Sequence, residues 1–284
     1  MLILRQQIHI GELALKKGPH PERARQDAEA LMRFALGKDK AWLIAHGNEA
    51  ISDGHAALFR AYVARRSTGQ PIQHITGMQE FYGLPFLVTP DVLIPRPGTE
   101  HLVEKVLQLA AGIERPRIVD VGVGSGAISV ALAYNLPQAK IAAVDISPLA
   151  LEIARENAAN NGVANRIQFV ESDLLAAVAS ERFELVVSNP PYVPTTDWES
   201  LSVEVREHEP ALALFGGDDG LDVYRRLIPA SFTVLEPGGF LVLEIGYGQS
   251  EAVAGLLKQT GFVNVEFVPD LQGILRVACG QKPA

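Results

Sequence analysis

From Arg117 onward the chain alternates short β-forming runs with helix-forming stretches, and this rhythm constrains the fold more than any other feature. The spacing predicts strands at Ile118–Val121, Lys140–Ile146, Ile167–Glu171, Leu185–Ser188, Gly239–Ile245, Val263–Val268 and Ile274–Ala278. Helices are predicted at about 126–136, 148–161, 219–235 and 248–260. Strands separated by helices can pair in parallel only through crossover connections, so the expected architecture is an α/β, doubly wound, mostly parallel seven-stranded sheet. The final two strands have only Pro269–Gly273 between them, which predicts an antiparallel pair at one edge. The helix after Asp145 carries the clearest local signals: Ser147 to cap it, Pro148 in its first turn and Gly162 to end it.

The first 70 or so residues have a different texture. Ala24, Ala28, Leu31, Met32 and Ala35 recur at three-to-four spacing within 21–36, and Ala56, Leu58, Phe59, Tyr62 and Val63 form a second stripe behind Ser52-Asp53. These are the marks of a small helical bundle over residues 1–75. The stretch FYGLPFLVTPDVLIPRPGTE, rich in Pro, Gly and β-formers, reads as a hairpin linker over 76–97, and Thr99 is placed to cap a helix over Glu100–Ala111.

Charge divides along the same line. Residues 1–95 hold 11 Lys/Arg against 9 Asp/Glu, whereas residues 96–284 hold 14 against 24, a net of −10. That acidic balance argues against an extensive nucleic-acid surface on the later part. No apolar run reaches membrane-spanning length, and Arg5 and Glu12 interrupt the N-terminal apolar stretch too early for a secretory signal. A single cysteine, Cys279, fits a reducing compartment, so a cytoplasmic location is expected. The seven histidines lack metal-ligand spacing, and no metal is expected.

Four constellations fall at the carboxyl ends of successive predicted strands. In VDVGVGSGAIS, Gly122, Val123, Gly124, Ser125 and Gly126 make a turn in which the backbone can approach a ligand, followed by a helix N-terminus. Gly122-x-Gly124-x-x-Ala127 also satisfies the dinucleotide fingerprint, and a purely structural turn would use the same glycines. Asp145, 19 residues beyond Gly126, can accept both hydroxyls of a ribose or simply stand at a helix entrance. Asp173 and Leu174 follow the third strand, where they can meet an adenine amino group and its face, or form an ordinary turn. Finally, Leu185-Val186-Val187 runs into Asn189-Pro190-Pro191-Tyr192. Two prolines end the ladder and leave carbonyls unused. An amide nitrogen is a poor nucleophile because its lone pair is shared with the carbonyl. The Asn189 side-chain oxygen and the Pro190 carbonyl are two acceptors that can orient such a nitrogen, and Tyr192 can wall a planar group.

On these motifs the chain resembles the HemK/PrmC-type release-factor glutamine methyltransferases. The resemblance extends over nearly the whole length. It rests on residues 69–104, VDVGVGSGAISVALA, AVDISPLALEIARENA, VVSNPPYVP, EHEPALALFGGDDGLDVYRRLI and DLQGILRVACG. It implies a class I, Rossmann-like methyltransferase domain over 98–284, joined by the hairpin to an N-terminal helical bundle that recognises the substrate. It further implies that S-adenosyl-L-methionine binds at Gly122–Gly126, Asp145, Asp173, Leu174 and Asn189, with S-adenosyl-L-homocysteine as product. The substrate pocket falls at Asn189, Pro190, Pro191 and Tyr192, with Asn189, Pro190 and Tyr192 catalytic. The protein partner is a class-one peptide chain release factor, met by a monomer without stable nucleic-acid or membrane binding. Two positions depart from the family pattern: Gly98 stands where an acid is common, and Leu174 where an aromatic is common.

Other readings compete. A glutamine methyltransferase of a large-subunit ribosomal protein shares the motifs, although IPRPGTEHLVE favours the release-factor branch. A DNA adenine methyltransferase also suits Asn-Pro-Pro-Tyr but would need a basic grip on phosphates. A nicotinamide-dependent dehydrogenase shares the glycine loop and the ribose acid but gives no reason for Asn189–Tyr192. A non-catalytic binding module accounts for neither the nucleophile clamp nor its coincidence with a cofactor edge.

Overall fold

In the computed structural model, which describes residues 2–284, the chain divides into two compact units. One is the chain up to Met78 together with Leu201–His208; the other is Gln79–Ser200 with Glu209–Ala284.

The first unit is helical, with α1 (Leu4–Leu15), α2 (Ala24–Leu36), α3 (Lys40–Ala45), α4 (Asp53–Ser67) and α5 (Ile72–Thr76). Ala28, Leu31 and Met32 of the first expected stripe and Ala56, Phe59 and Val63 of the second are buried in one core with Leu4 and Ile8, whereas Leu58 of the second is 41% exposed. Ser52 caps α4 as expected, its hydroxyl accepting the His55 N–H at 3.2 Å. At the heart of this unit Arg66, 2% exposed, donates from Nε to Asp27 at 2.6 Å and also pairs with Glu204. Glu204 lies on a helix that returns to this unit from far along the sequence.

In the second unit a hairpin of β1 (Met78–Phe81) and β2 (Leu84–Leu87) is followed by α6 (Glu100–Ala110) and then by the alternating series. That series comprises β3 (Arg117–Val121), α7 (Ala127–Asn135), β4 (Lys140–Asp145), α8 (Pro148–Asn160), β5 (Ile167–Glu171) and β6 (Phe183–Ser188). After α9 (Val203–His208), which belongs to the helical unit, come α10 (Asp222–Val234), β7 (Leu235–Glu244), α11 (Ser250–Thr260), β8 (Val263–Pro269) and β9 (Leu275–Gln281). The seven strands from β3 to β9 are ordered β5-β4-β3-β6-β7-β9-β8. All pairings are parallel except those of β9, which runs antiparallel to both neighbours.

Alternation along each strand feeds two cores. On β6, Leu185 and Val187 enter one apolar cluster while Val186 enters the other, and Ile118 and Val119 of β3 divide the same way. Hydrophobic residues therefore run almost continuously through these central strands. Phe81 and Phe86 of the hairpin are fully buried against the first cluster and meet edge to face at 6.0 Å. Strand β9 runs three residues beyond its expected end because, paired on both sides, it keeps its ladder through Cys279-Gly280-Gln281. Strand β7 starts at Leu235 rather than Gly239; a register shift opposite Phe183 and Leu185 absorbs Pro237-Gly238, which read as a turn in isolation.

The strand order reverses between β3 and β6. There β3 sends its connection through α7 to β4 on one side, while β6 lies on the other. At such a switch point the loops leaving the carboxyl ends diverge and open a crevice. Val121 pairs with Ser188 at this edge, and the Ser188 hydroxyl donates to the Val121 carbonyl at 2.6 Å. The glycine turn and Asn189 thus leave the sheet side by side.

Candidate active site

A cavity of about 290 Å³ occupies this crevice. Its walls include Gly122, Val123, Gly124, Ser125, Asp145, Asp173, Leu174, Asn189 and Pro191, so four separate sequence motifs converge on one space. Gly126, Pro190 and Tyr192 are not among the wall residues.

The glycine turn contributes clearance more than donors. Gly122, Gly124 and Gly126 have φ of 73°, 53° and 83°, the left-handed region where a side chain is strained. A Cβ on Gly122 or Gly124 would meet nothing within 4 Å, so the space beside them is open. Gly126 differs: its Cβ would come within 3.1 Å of Ala154, and its smallness lets the start of α7 pack on α8. Most of the turn's N–H groups are already used. Gly122 and Val123 donate to the Val144 carbonyl, Gly126 donates to Val123, and Gly124 donates to Asp145 Oδ2 at 2.9 Å. In the first turn of α7, the Ser129 N–H and hydroxyl donate to Asp120. With the Ser129 N–H and hydroxyl committed to Asp120, the start of α7 has fewer free donors for a pyrophosphate, which weakens the dinucleotide reading.

Asp145 ends β4 in a half-buried position. Its Oδ2 accepts the Gly124 N–H and its Oδ1 the Ser147 N–H, each at 2.9 Å. Each carboxylate oxygen retains acceptor capacity, so holding the loop and accepting two vicinal hydroxyls are compatible tasks. Ser147 Oγ caps α8 by accepting the Ala150 N–H, as its sequence position suggests. At the next strand, Asp173 pairs with Arg226 at 2.6 Å, and Leu174 sits at φ 51°, a left-handed conformation uncommon for Leu. That conformation places Leu174 on the cavity wall with an apolar face, where Val92, Leu93, Ile128 and Ile146 add further apolar surface.

Asn189 follows β6 directly. Its Nδ2 donates to Thr99 Oγ1 at 3.3 Å, which leaves Oδ1 available to a ligand. The Pro190 carbonyl accepts no hydrogen bond from any described residue. Thr99 therefore does not cap α6. Residues 97–99 form a tight 3-10 turn that places Thr99 in a helical conformation (φ −69°, ψ −17°), and its hydroxyl is turned to Asn189. Tyr192 is half-buried; its hydroxyl donates to Glu244 Oε1 at 3.2 Å, and its ring joins the apolar cluster under the sheet. Burial above all, and then the Glu244 charge, raise the phenol far above its ordinary value of 10, so Tyr192 stays protonated.

The turn is held from behind by the segment 214–220. Val193 donates to the Leu214 carbonyl at 2.8 Å, Gly216 donates back to Val193, and Thr195 donates to Gly217. A Cβ at Gly220 would lie 2.2 Å from the Tyr192 carbonyl oxygen, and one at Gly216 would lie 2.6 Å from that of Pro191. Gly216 and Gly220 of FGGDDG are thus required by close backbone approach.

Sequence reasoning missed several residues here. Arg96 donates from Nη2 to both oxygens of buried Glu209, at 2.7 and 2.6 Å, linking the Pro-Arg-Pro segment to the chain 113 residues later. Asn157 is fully buried; it accepts the Leu87 N–H and donates to the Leu87 and Ser125 carbonyls, tying the hairpin and α8 to the glycine turn. An Asn inside an otherwise apolar helix stripe was the available signal. At the departing position Gly98 a Cβ would meet nothing within 4 Å.

A seven-stranded α/β sheet with a ligand crevice at its switch point, opened by a glycine turn and closed by Asn-Pro-Pro-Tyr, defines a methyltransferase. Comparison with known proteins agrees. The family models for the PrmC N-terminal domain and the methyltransferase small domain match residues 9–77 and 96–204. A methyltransferase from Pyrococcus furiosus shares the fold, with a TM-score of 0.53 and 17% identity over 79% of this chain and 98% of its own. Release factor glutamine methyltransferases from Geobacter sulfurreducens and Koribacter versatilis are each 45% identical over 260 residues. These alignments cover 92% and 91% of this chain, and 90% and 91% of theirs. The chain belongs to the release factor glutamine methyltransferase family. Among the described residues no helix is long and apolar enough to cross a membrane.

Proposed function

We propose that this protein methylates the side-chain amide nitrogen of the glutamine in the Gly-Gly-Gln motif of class-one peptide chain release factors, using S-adenosyl-L-methionine. The observation that carries the reading is Asn189, held through Nδ2 with its Oδ1 unspent, at the mouth of a cavity whose other walls suit a nucleoside. The residues present fit that cofactor: Asp145 offers two oxygens to vicinal hydroxyls, Asp173 has a second oxygen for an exocyclic amine, and Leu174 offers an apolar face. Gly122 and Gly124 clear the space between. When bound, the cofactor supplies an electrophilic methyl group.

The chain's own residues do the rest by positioning. Asn189 Oδ1 and the Pro190 carbonyl accept the two N–H bonds of the substrate amide, fix its plane and raise electron density on its nitrogen. Pro190 and Pro191 keep those acceptors rigid, and Tyr192, next to the cavity-lining Pro191, supports the plane of the amide. No general base is required, since the methylated nitrogen becomes acidic and releases its proton to water. The acidic charge of residues 96–284 favours a protein substrate over a nucleic acid. Of the domains read from the sequence, 1–75 serves recognition, 76–97 joins, and 98–284 carries the chemistry.

Mass spectrometry of purified release factor and of ribosomal large-subunit proteins, after incubation with enzyme and methyl donor, tests the substrate. The expected product is a single methyl on the Gly-Gly-Gln glutamine; methylation of the ribosomal glutamine alone would refute the assignment. Asn189→Ala is expected to keep cofactor affinity and to slow single-turnover transfer by on the order of 10²–10³, as when one oriented hydrogen bond at a reacting group is lost. Transfer within about threefold of wild type would leave Asn189 no role in orientation.

A further inference from the structure

Behind Asn189 lies a buried carboxylate that the chemistry above does not use. Glu244, the last residue of β7, is 4% exposed. Its Oε1 accepts the Tyr192 hydroxyl, its backbone carbonyl accepts the Tyr224 hydroxyl at 2.8 Å, and its Oε2 is buried without a donor at full hydrogen-bond distance. Burial raises the Glu244 carboxyl above its ordinary value, while the nearby Thr99 and Tyr192 hydroxyls, and then the more distant Arg276 and Arg96, act against that rise. A buried acceptor left short of donors is costly, so such a group is kept for a reason beyond packing.

We propose that Glu244 and Thr99 are positioning residues that fix which way round the Asn189 amide stands. The inference rests on the reading of Asn189 given above. A carboxylate only accepts hydrogen bonds. The one proton of the Thr99 hydroxyl is therefore drawn toward Glu244, and Thr99 Oγ1 turns a lone pair to Asn189. Only the NH2 end of Asn189 can satisfy that lone pair, as the 3.3 Å contact shows. The oxygen end is then presented to the substrate. Were the Thr99 proton free to point at Asn189, the amide would be equally content reversed, and its NH2 group would meet the N–H of the incoming glutamine, donor against donor. The same carboxyl holds the Tyr192 hydroxyl, so one buried side chain anchors both ends of Asn-Pro-Pro-Tyr.

Glu244→Gln keeps the shape but can donate to Thr99, releasing the Thr99 proton toward Asn189. Thr99→Val keeps the shape and removes the relay; Thr99→Ser keeps the hydroxyl. With saturating methyl donor, Glu244→Gln and Thr99→Val are expected to lower kcat by about 10- to 100-fold, in line with the loss of an oriented group at a reacting centre. Affinity for S-adenosyl-L-homocysteine and Tm should stay near wild type, Thr99→Ser should recover most of the loss, and the double variant should be little worse than either single one. If Glu244→Gln and Thr99→Val keep kcat within about threefold while Asn189→Ala loses it, the orientation relay is wrong and the clamp stands. If Asn189→Ala also keeps its rate, the reading of Asn189 falls with it. An equal loss in Thr99→Ser and Thr99→Val assigns the effect to packing and overturns the relay.

Discussion

Replacing Asp145 by Asn probes the cofactor edge with minimal change of shape. In the native protein each carboxylate oxygen accepts one backbone N–H, from Gly124 and from Ser147, each at 2.9 Å. An amide cannot serve both: whichever end carries NH2 faces a backbone N–H, and the charge that strengthens the remaining acceptor is gone. The proposed ribose contacts add two charge-assisted hydrogen bonds, each worth about 1.5–3 kcal/mol. Losing one outright and weakening the other costs about 3 kcal/mol of cofactor affinity, or roughly 10²-fold at 1.4 kcal/mol per decade. Isothermal titration calorimetry with S-adenosyl-L-homocysteine measures this directly, with thermal unfolding of the apo-protein as the control for fold. Because Asp145 also holds the glycine turn, a Tm decrease of a few degrees is expected, while the sheet stays intact. Affinity within about threefold of wild type would show that Asp145 serves only the helix entrance and the turn, and the ribose assignment would be withdrawn.

Three further outcomes follow from the packing and charges. Gly220→Ala puts a Cβ 2.2 Å from the Tyr192 carbonyl oxygen at φ 74°, so the turn must shift. Methyl transfer should fall at least about tenfold, as expected when reacting groups are misplaced, with cofactor affinity nearly unchanged; unchanged single-turnover rates would show that the backing loop does not position Asn-Pro-Pro-Tyr. Asp120, buried beside Ser129, has its carboxyl pushed up by burial from 3.8 to about 7. A raised folded value means its stabilising contribution is complete below about 3.8 and is lost as pH rises through about 7. Asp120→Asn should therefore gain stability relative to wild type between pH 5 and pH 8, by about 3 kcal/mol, from the two pH units between 5 and 7 at about 1.4 kcal/mol each; a pH-independent difference would contradict the buried, protonated carboxyl. Arg66→Met removes the 2.6 Å partner of buried Asp27 and leaves only Arg23, 3.8 Å away, so it should cost about 3–5 kcal/mol in denaturant unfolding; a cost below about 1 kcal/mol would mean that the Arg66–Asp27 pair carries little.

Much of this protein can be read from local pattern. Alternation of β and helical periods determined the strands from Arg117 onward, since each element needs only its own apolar spacing to be recognised. Turn chemistry marked Gly122–Gly126, Ser147 and the two prolines after Asn189, because φ > 0, capping and a missing N–H are properties of single residues. The parallel topology then brought Asp145, Asp173 and Asn189 to one edge, because successive parallel strands end on the same side. Tertiary structure decided what no period encodes. Glu204 returns to the helical unit, Arg96 meets Glu209 across 113 residues, Asn157 bonds the hairpin 70 residues away, and Thr99 turns from its helix to Asn189. The strand limits that failed, at Gly239 and Ala278, did so where pairing with neighbours overrode local turn signals. Whether a polar side chain is buried, and which distant partner satisfies it, depends on how the elements close on one another. Sequence alone therefore showed Glu244 as one more residue of an apolar strand, and only the closed sheet placed its carboxylate behind the Asn-Pro-Pro-Tyr turn.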